Sequence, residues 1–468
     1  MAYHGISYEE WNQLVQQNRP LPPTVNLCIH DEIERQARIH PSKVAFTSSE
    51  EDLTYDALSR LSDLVAYDLV DRGVIKEDIV PLCFDKSPVM IIFMIAVMKA
   101  GAAFLALDPE QPLSHTESVL HEMDAKMIIT SETFQYSFPS DYPVLVPPSL
   151  PLLVGQLGRA SKWSPPIVSP KNAAYCSLTR ASTGEPSGVV LEHRSFVSGI
   201  FWNAPAQMLN EKSRVLQLAE YWHDECITEI LTTLCVGGTI CSPNEVEIQE
   251  DLVEFINLKE VNWAALTPSF ISTFQPVDVP TLKTLMLDGE TVPQSLIETW
   301  SEHVVVLSSY TVSECSGTIS VGYRVENDST ARNIGRPAGV ALWVVNQNNV
   351  HVLMPVGEVG EILIEGPTVG RGYINNPQAT GAAFVKPPIW LRPILSPSQK
   401  GNRLFRAGVL GRRSLTGTFE IISGEDSQKG IEDAEDDSAV QVAHVARLIR
   451  YGRIDEEESK EPAADNVY

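Results

Sequence analysis

Residues 88–107, PVMIIFMIAVMKAGAAFLAL, constrain the fold of this chain most. A run this apolar has to be buried. Lys99 and Gly101 interrupt it, so it reads as a buried helix followed by a buried strand and not as a membrane span. The same alternation surrounds it. Residues 26–47 read as a helix and then a strand, with Ile29, Ile33 and Ala37 at helical spacing ahead of Val44, Ala45 and Phe46. LTYDALSRLSDLVAYDLVDRG (53–73) predicts an amphipathic helix with Thr54 as N-cap and Gly73 closing it. IVPLCF, DAKMIITSE, TICSPNE, VNWAALTPS, TLKTLMLDGE and VVVLSSYTVSE supply strands, and further helices fall at 249–257 and in SLIETWSEH. Strands alternating with helices predict an α/β fold, with parallel sheets covered by helices on both faces.

The last third changes character. Residues 339–373 hold short strands joined by Asn-Asn and Gly turns, which predicts a smaller β subdomain. After residue 424 the text becomes GEDSQKGIEDAEDDS and later EEESKEPAADNVY. Acidic, apolar-poor sequence of this kind predicts disorder, broken by one short amphipathic segment, VQVAHVARLIRYG (440–452). The expected organisation is an N-terminal extension (1–24), a core (25–424, with its β subdomain at about 335–424) and an acidic tail (425–468).

The charge balance, 60 acidic against 35 basic residues, argues against a nucleic-acid partner, which needs a basic face. Seven cysteines without CxxC spacing, Cys226, Cys235 and Cys241 among them, indicate neither a zinc site nor a disulfide framework. The N-terminus, MAYHGISYEEWNQLVQQ, is polar and mixed in charge, unlike a signal peptide. A reducing, cytoplasmic setting without membrane contact is expected.

STGEPSG (182–188) has the composition of a phosphate-holding loop. Ser182 and Thr183 offer hydroxyls, Gly184 and Gly188 allow close backbone approach, and the loop follows the strand-like run AAYCSL and precedes VVLEHRSF, another strand leading into a helix. A glycine-rich loop between strand and helix can cradle phosphate with backbone N–H groups and a helix N-terminus. The lysine common in such loops is missing, and Ser187 stands where a cation is expected.

Further stretches follow in order: LTYDAL (53–58), VMKAGAAFLALDPEQP (97–112), YWHDECITEILTTLCVGGTICSP (221–243), SSYTVSEC (308–315), NIGRPAG (333–339), GEVGEILIEGPTVGRGY (357–373) and RLFRAGVLGRRSLTGTFEI (403–421). Together they resemble the adenylation domains of nonribosomal peptide synthetases, with wording like the fungal enzymes. These belong to the adenylate-forming superfamily, which also holds acyl-CoA ligases and luciferases. The resemblance covers about residues 25–425. It implies binding of ATP, Mg²⁺ and an amino acid, attack of the substrate carboxylate on the α-phosphate, release of pyrophosphate, and transfer of the acyl group to a carrier-protein thiol. Catalysis of that kind is positioning and charge neutralisation.

Carried over residue by residue, the resemblance makes Asp224 the partner of the substrate's α-ammonium and Glu314 a contributor to magnesium binding. Tyr310 is expected against adenine. Thr179, Ser182, Thr183, Gly184 and Gly188 fall in the phosphate loop. The pocket lining would come from Asp224, Glu225, Thr228, Ala265, Met286, Asp288, Ser309, Gly317 and Thr318. Glu225 and Asp288 add negative charge, which favours a basic or strongly polar amino acid.

The departures weigh against ordinary activity. Arg180 and Ala181 replace a Ser-Gly pair, Ser187 replaces the loop lysine, and Thr311 and Val312 replace Gly-Pro. Val409 stands where the family has an aspartate that grips the ribose. Losing that charged acceptor costs about tenfold to a hundredfold in binding. The family hinge is reduced to SGEDSQKG (423–430), and no lid carrying the family's catalytic lysine is recognisable after it. The expectation is therefore an adenylation domain of secondary metabolism that is impaired when isolated, with a partner synthetase or carrier protein acting in trans. The alternatives are a non-catalytic scaffold or a truncated relic.

Overall fold

The computed structural model describes residues 2–424 apart from 4, 158–164, 181–185, 290–291, 324–332, 398 and 400. Two sheets organise it. The first runs in the order Gly372–Tyr373, Pro186–Glu192, Ala173–Arg180, Ala103–Ala106, Ile79–Cys83, Ile128–Thr130, Val144–Leu145. Its strands are parallel from Ala173–Arg180 onward, and Pro186–Glu192 is antiparallel to both of its neighbours. The second sheet has a parallel half, Val305–Val312, Thr284–Leu287, Trp263–Leu266, Arg214–Leu216, Thr239–Cys241 and Val44–Thr47. Beyond Val305–Val312 it continues antiparallel through Gly317–Tyr323 and Asn333–Pro337. From there it runs into the strands of the last third, Phe419–Gly424, Leu404–Arg413, Gly360–Glu365, Ala341–Asn346 and Asn349–Leu353.

Neighbouring residues on each strand bury into different layers, as the period of two demands. In the second sheet Val215, Ile240, Trp263, Met286 and Leu307 join the large central cluster. Leu216, Cys241, Ala264, Leu285 and Val306 instead meet Phe255, Ile297 and Trp300 of the helices Leu252–Leu258 and Gln294–Ser301. In the first sheet Phe104 and Tyr175 face the centre, whereas Leu105 and Cys176 meet Val119 and Leu120 of the helix Leu113–Glu122. The central cluster is filled by the helices Ile29–Ile39, Tyr55–Asp71, Pro88–Lys99 and His193–Ala206. Helices thus lie between the sheets and outside each of them, the doubly covered arrangement the alternation predicts.

Local signals act as expected. Thr54 Oγ1 accepts from Ala57 N–H at 3.2 Å to start the helix Tyr55–Asp71, and Gly73 follows it at φ +98°. The run 88–107 folds as the helix Pro88–Lys99 and the strand Ala103–Ala106. Lys99 is tolerated there because its ammonium meets Asp63 at 2.6 Å and Glu34 at 3.1 Å. Among the described residues no helix is long and apolar enough to cross a membrane.

The runs on either side of the loop 181–185 fold as read, a strand before it and a strand leading into a helix after it. The loop links two antiparallel strands, Ala173–Arg180 and Pro186–Glu192, with Ser187 opposite Thr179 and Gly188 opposite Leu178. The next helix begins only at His193, after the whole of the second strand. At about 3.3 Å per residue that sets the N-terminus of this helix several residues of strand away from the loop. Ser182, Thr183 and Gly184 lie outside the described residues, as does the stretch 425–468 on which the expectations of a degenerate hinge, a missing lid and a disordered tail fall.

Residues 6–21 pack on the last-third strands. Trp11, 4% exposed, stacks on Trp343 with ring centroids 6.1 Å apart and meets Trp390 edge-on at 6.0 Å. Arg19 Nη2 lies 2.8 and 2.9 Å from the two Glu365 carboxylate oxygens. Trp11→Ala is expected to lower the unfolding free energy by about 3 kcal/mol, the cost of emptying a buried aromatic site. A urea titration reads this as a lower midpoint with unchanged slope.

Candidate functional site

Asp224 opens a helical stretch made of Asp224–Ile227, a π turn at Thr228–Thr232 and Thr233–Val236. Its Oδ1 accepts from Ser177 Oγ at 2.6 Å, and its Oδ2 accepts from Ser313 Oγ. Ser177 lies on the first sheet, and Ser313 follows the strand Val305–Val312 of the second. The carboxylate therefore sits at the seam between the sheets, its rotamer held from both sides. A narrow crevice lies beside it, lined by Phe104, Tyr175, Ser177, Tyr221, Trp222 and His223 among others, with an internal volume of about 10 Å³, room for about one water molecule.

Thr179 is two residues beyond Ser177, so both side chains project from one face of the strand. Thr179 Oγ1 donates to Glu314 Oε1 at 3.4 Å, and Tyr373 Oη donates to the same oxygen at 2.7 Å. One strand face thus places a hydroxyl on each of two carboxylates. Burial pushes the Glu314 carboxyl above its usual range, and these hydrogen bonds pull it back. Gly188 is locked in the neighbouring strand. A Cβ there would lie 2.7 Å from Met123 Cε and 2.9 Å from Ile374 Cδ1, so a larger residue would have to displace the ends of those two side chains.

The remaining candidates lie on adjacent elements. Ala265 and Met286 are register partners on parallel strands. Asp288 follows the second of these strands and accepts from Ser309 Oγ at 2.6 Å and from Gly289 N–H at 2.8 Å. Tyr310 is the next residue along from Ser309 and is half-buried. Thr318 is buried opposite Thr311, their hydroxyls 3.4 Å apart, and Gly317 turns the chain at φ +100°. Thr228 begins the π turn.

Glu225 is pushed up to about 8, first by burial and then by the negative charges of Asp288 and Asp224. Glu229, on the same helical stretch, is pushed up to about 7 by burial. Both hold protons more tightly folded than unfolded. Between about pH 4.5 and pH 8 the folded chain therefore binds more protons, and stability is expected to fall as pH rises through that window. Urea midpoints at either end of the window check this, and Glu225→Gln should flatten the slope.

Ser177, Ser313 and Tyr373 were not singled out in the sequence as functional. Ser177 carried a weak signal, since it shares strand parity with Thr179. The other two act only because distant strands meet.

Residues 33–374 match the profile of the AMP-binding enzyme family. The chain belongs to that family. It is 46% identical over 428 residues to the "NRPS-like oxidoreductase fscA" of Fusarium equiseti, covering 92% of this chain and 42% of that one. It is 37% identical over 424 residues to the "N-benzoylphenylalaninol synthetase apmA" of Penicillium brevicompactum, covering 90% and 18%. The chain thus spans less than half the length of these curated relatives. Among solved structures, the nonribosomal peptide synthetase FmoA3 (S1046A) matches with a TM-score of 0.77 at 21% identity, covering 89% of this chain and 44% of that one. The fused adenylation–PCP di-domain NpsA-ThdA of Klebsiella oxytoca matches at 0.72 and 22%, covering 85% and 79%. At that identity the likeness shows the fold, which is the adenylation-domain fold. This AMP-binding domain thus has nonribosomal peptide synthetases among its relatives and adenylation domains among its structural neighbours.

The two ends of a nucleotide would fare differently on it. Glu314 and Thr179 offer hard oxygen donors, and Mg²⁺ is commonly held by one or two carboxylates together with substrate phosphates. The residues present fit that ion. The residue that the resemblance sets at the ribose position, Val409, offers no hydrogen-bond acceptor on its side chain. Val409 is 4% exposed, pairs with Gly424 on the neighbouring strand and belongs to the central apolar cluster.

Proposed function

We propose that this adenylation domain binds an amino acid and Mg-ATP and forms an aminoacyl adenylate, slowly when isolated. The observation that supports it best is Asp224, held by Ser177 and Ser313 beside the crevice. A carboxylate fixed in this way pairs with an α-ammonium at little further ordering cost. Tyr221 and Trp222 line the same crevice and give it an aromatic wall. The substrate carboxylate attacks the α-phosphorus, the bond to the β-phosphate oxygen breaks, and pyrophosphate leaves with that electron pair. Glu314 and Thr179 would hold the Mg²⁺, which when bound neutralises phosphate charge. Tyr310 would pack against adenine. Glu225 and Asp288, with Ser309, favour a basic or strongly polar substrate side chain. The acyl group then passes to a carrier-protein thiol on a partner synthetase.

Hydroxylamine trapping tests this reading, because an aminoacyl adenylate yields the amino acid hydroxamate. Hydroxamate formed only with ATP, Mg²⁺ and one class of amino acid supports it. Amino-acid binding without any hydroxamate supports a second reading, a non-catalytic relative that keeps the fold as a scaffold. Val409 and Ser187 are the residues that favour that second reading.

A further inference from the structure

Five residues beyond Asp224 the same helical stretch carries Glu229, which is 1% exposed. Its Oε2 accepts three hydrogen bonds, from Gln217 Nε2 at 3.1 Å, Leu218 N–H at 3.1 Å and Ala219 N–H at 3.0 Å. Its Oε1 has no hydrogen-bond partner among the described residues. A buried carboxylate is expensive unless several donors converge on it. The donors here come from the start of the segment 217–223, which then supplies Tyr221, Trp222 and His223 to the crevice wall and ends at Asp224.

The acceptors of the same segment are met by another residue. Lys86 Nζ donates to Ala219 O at 2.8 Å and to Gln217 Oε1 at 3.4 Å, and it lies 5.4 Å from the centroid of the Tyr221 ring. Tyr221 is held in turn, since its hydroxyl accepts from Ser87 N–H at 2.9 Å. Farther along, Cys226 Sγ contacts Tyr221 O at 3.1 Å. The segment is thereby closed into a ring, with Glu229 taking its N–H groups and Lys86 its carbonyl oxygen. Glu229 belongs to the π turn Thr228–Thr232, and such turns concentrate at functional sites.

We propose that Glu229 is a positioning residue, tying the segment 217–223 to the helical stretch so that Asp224 is held at the angle an α-ammonium requires. The proposal rests on the reading of Asp224 given above. Ser177 and Ser313 set the rotamer of Asp224, whereas Glu229 sets the backbone that carries it. Losing Glu229 frees that backbone and weakens ammonium recognition more than it weakens binding of the rest of the substrate.

The test compares L-lysine with 6-aminohexanoate, the same molecule without its α-ammonium, by calorimetry on the full chain and on Glu229→Ala and Glu229→Gln. Hydrogen exchange of the Leu218 and Ala219 amides is followed in parallel. Wild type should prefer lysine. Glu229→Ala should erode that preference about tenfold, the weight of one lost charge-assisted anchor, and speed exchange at both amides by about as much. Glu229→Gln should restore part of both effects, because its carbonyl oxygen has two lone pairs and can take two of the three donors. Equal weakening toward both ligands in Glu229→Ala, or unchanged amide exchange in that variant, would overturn the proposal. If wild type shows no preference for lysine and Asp224→Ala changes nothing, the reading of Asp224 fails and recognition by this route fails with it. The exchange data still decide whether Glu229 holds the segment, and should Glu229→Ala not fold, Glu229→Leu, which fills the site but accepts no hydrogen bond, carries both measurements.

Discussion

Asp224→Ala is expected to weaken amino-acid binding by about two orders of magnitude while leaving Mg-ATP binding nearly unchanged. Removing one partner of a desolvated charge pair costs about 3 kcal/mol, because the other charge is left buried and unpaired. Asp224 is engaged by Ser177 from the first sheet and Ser313 from the second, so it needs little reorganisation when an ammonium arrives. Asp224→Asn is the sharper variant. Its amide oxygen can keep the bond from Ser177 and its amine can donate to Ser313, so the fold is retained and only the charge is lost. Calorimetry with the amino acid and separately with Mg-ATP checks the prediction. Equal losses toward both ligands would mean that Asp224 is structural.

Val409→Asp should act at the other end of the site and in two opposing directions. A carboxylate there can accept from both ribose hydroxyls, and ATP affinity is expected to rise by about tenfold to a hundredfold. Val409 is also buried in the central apolar cluster. An unpaired carboxylate at such a position lowers stability by about 3 kcal/mol. The variant should therefore melt earlier than wild type without nucleotide and gain more on adding Mg-ATP, since ligand binding stabilises only the folded form. Thermal melts with and without Mg-ATP measure both effects. A variant that is destabilised but gains nothing from nucleotide would place the ribose elsewhere.

Much of the fold was legible because its signals are local. The helix Pro88–Lys99 and strand Ala103–Ala106 follow from an apolar run with a break, and Thr54 and Gly73 mark the limits of a helix through capping and a left-handed turn. The hairpin around 181–185 was not legible. Apolar runs on either side of a loop carry no strand direction, and Pro186–Glu192 reads equally well as a strand entering a parallel sheet. The packing of Trp11 on Trp343 and Trp390 was hidden for another reason, since a polar, mixed-charge N-terminus gives no hint of which distant strands it covers.

The site divides in the same way. Asp224 and Glu314 carry motif signals, and the structure brings them to one seam through Ser177 and Thr179 on a shared strand face. Ser313, Tyr373 and Glu229 gain their meaning only from tertiary contact. The Glu225 carboxyl is pushed up to about 8 by burial and then by Asp288, which arrives from the end of a distant strand. No spacing rule reports such a neighbour.

Amino-acid-dependent ATP–pyrophosphate exchange on the purified chain tests the central claim most directly, since exchange requires both halves of the site to act on one another. The account predicts slow exchange above the ATP-only background with at least one basic or polar amino acid, lost in Asp224→Asn. Folded protein that binds Mg-ATP yet shows no exchange with any amino acid would contradict it.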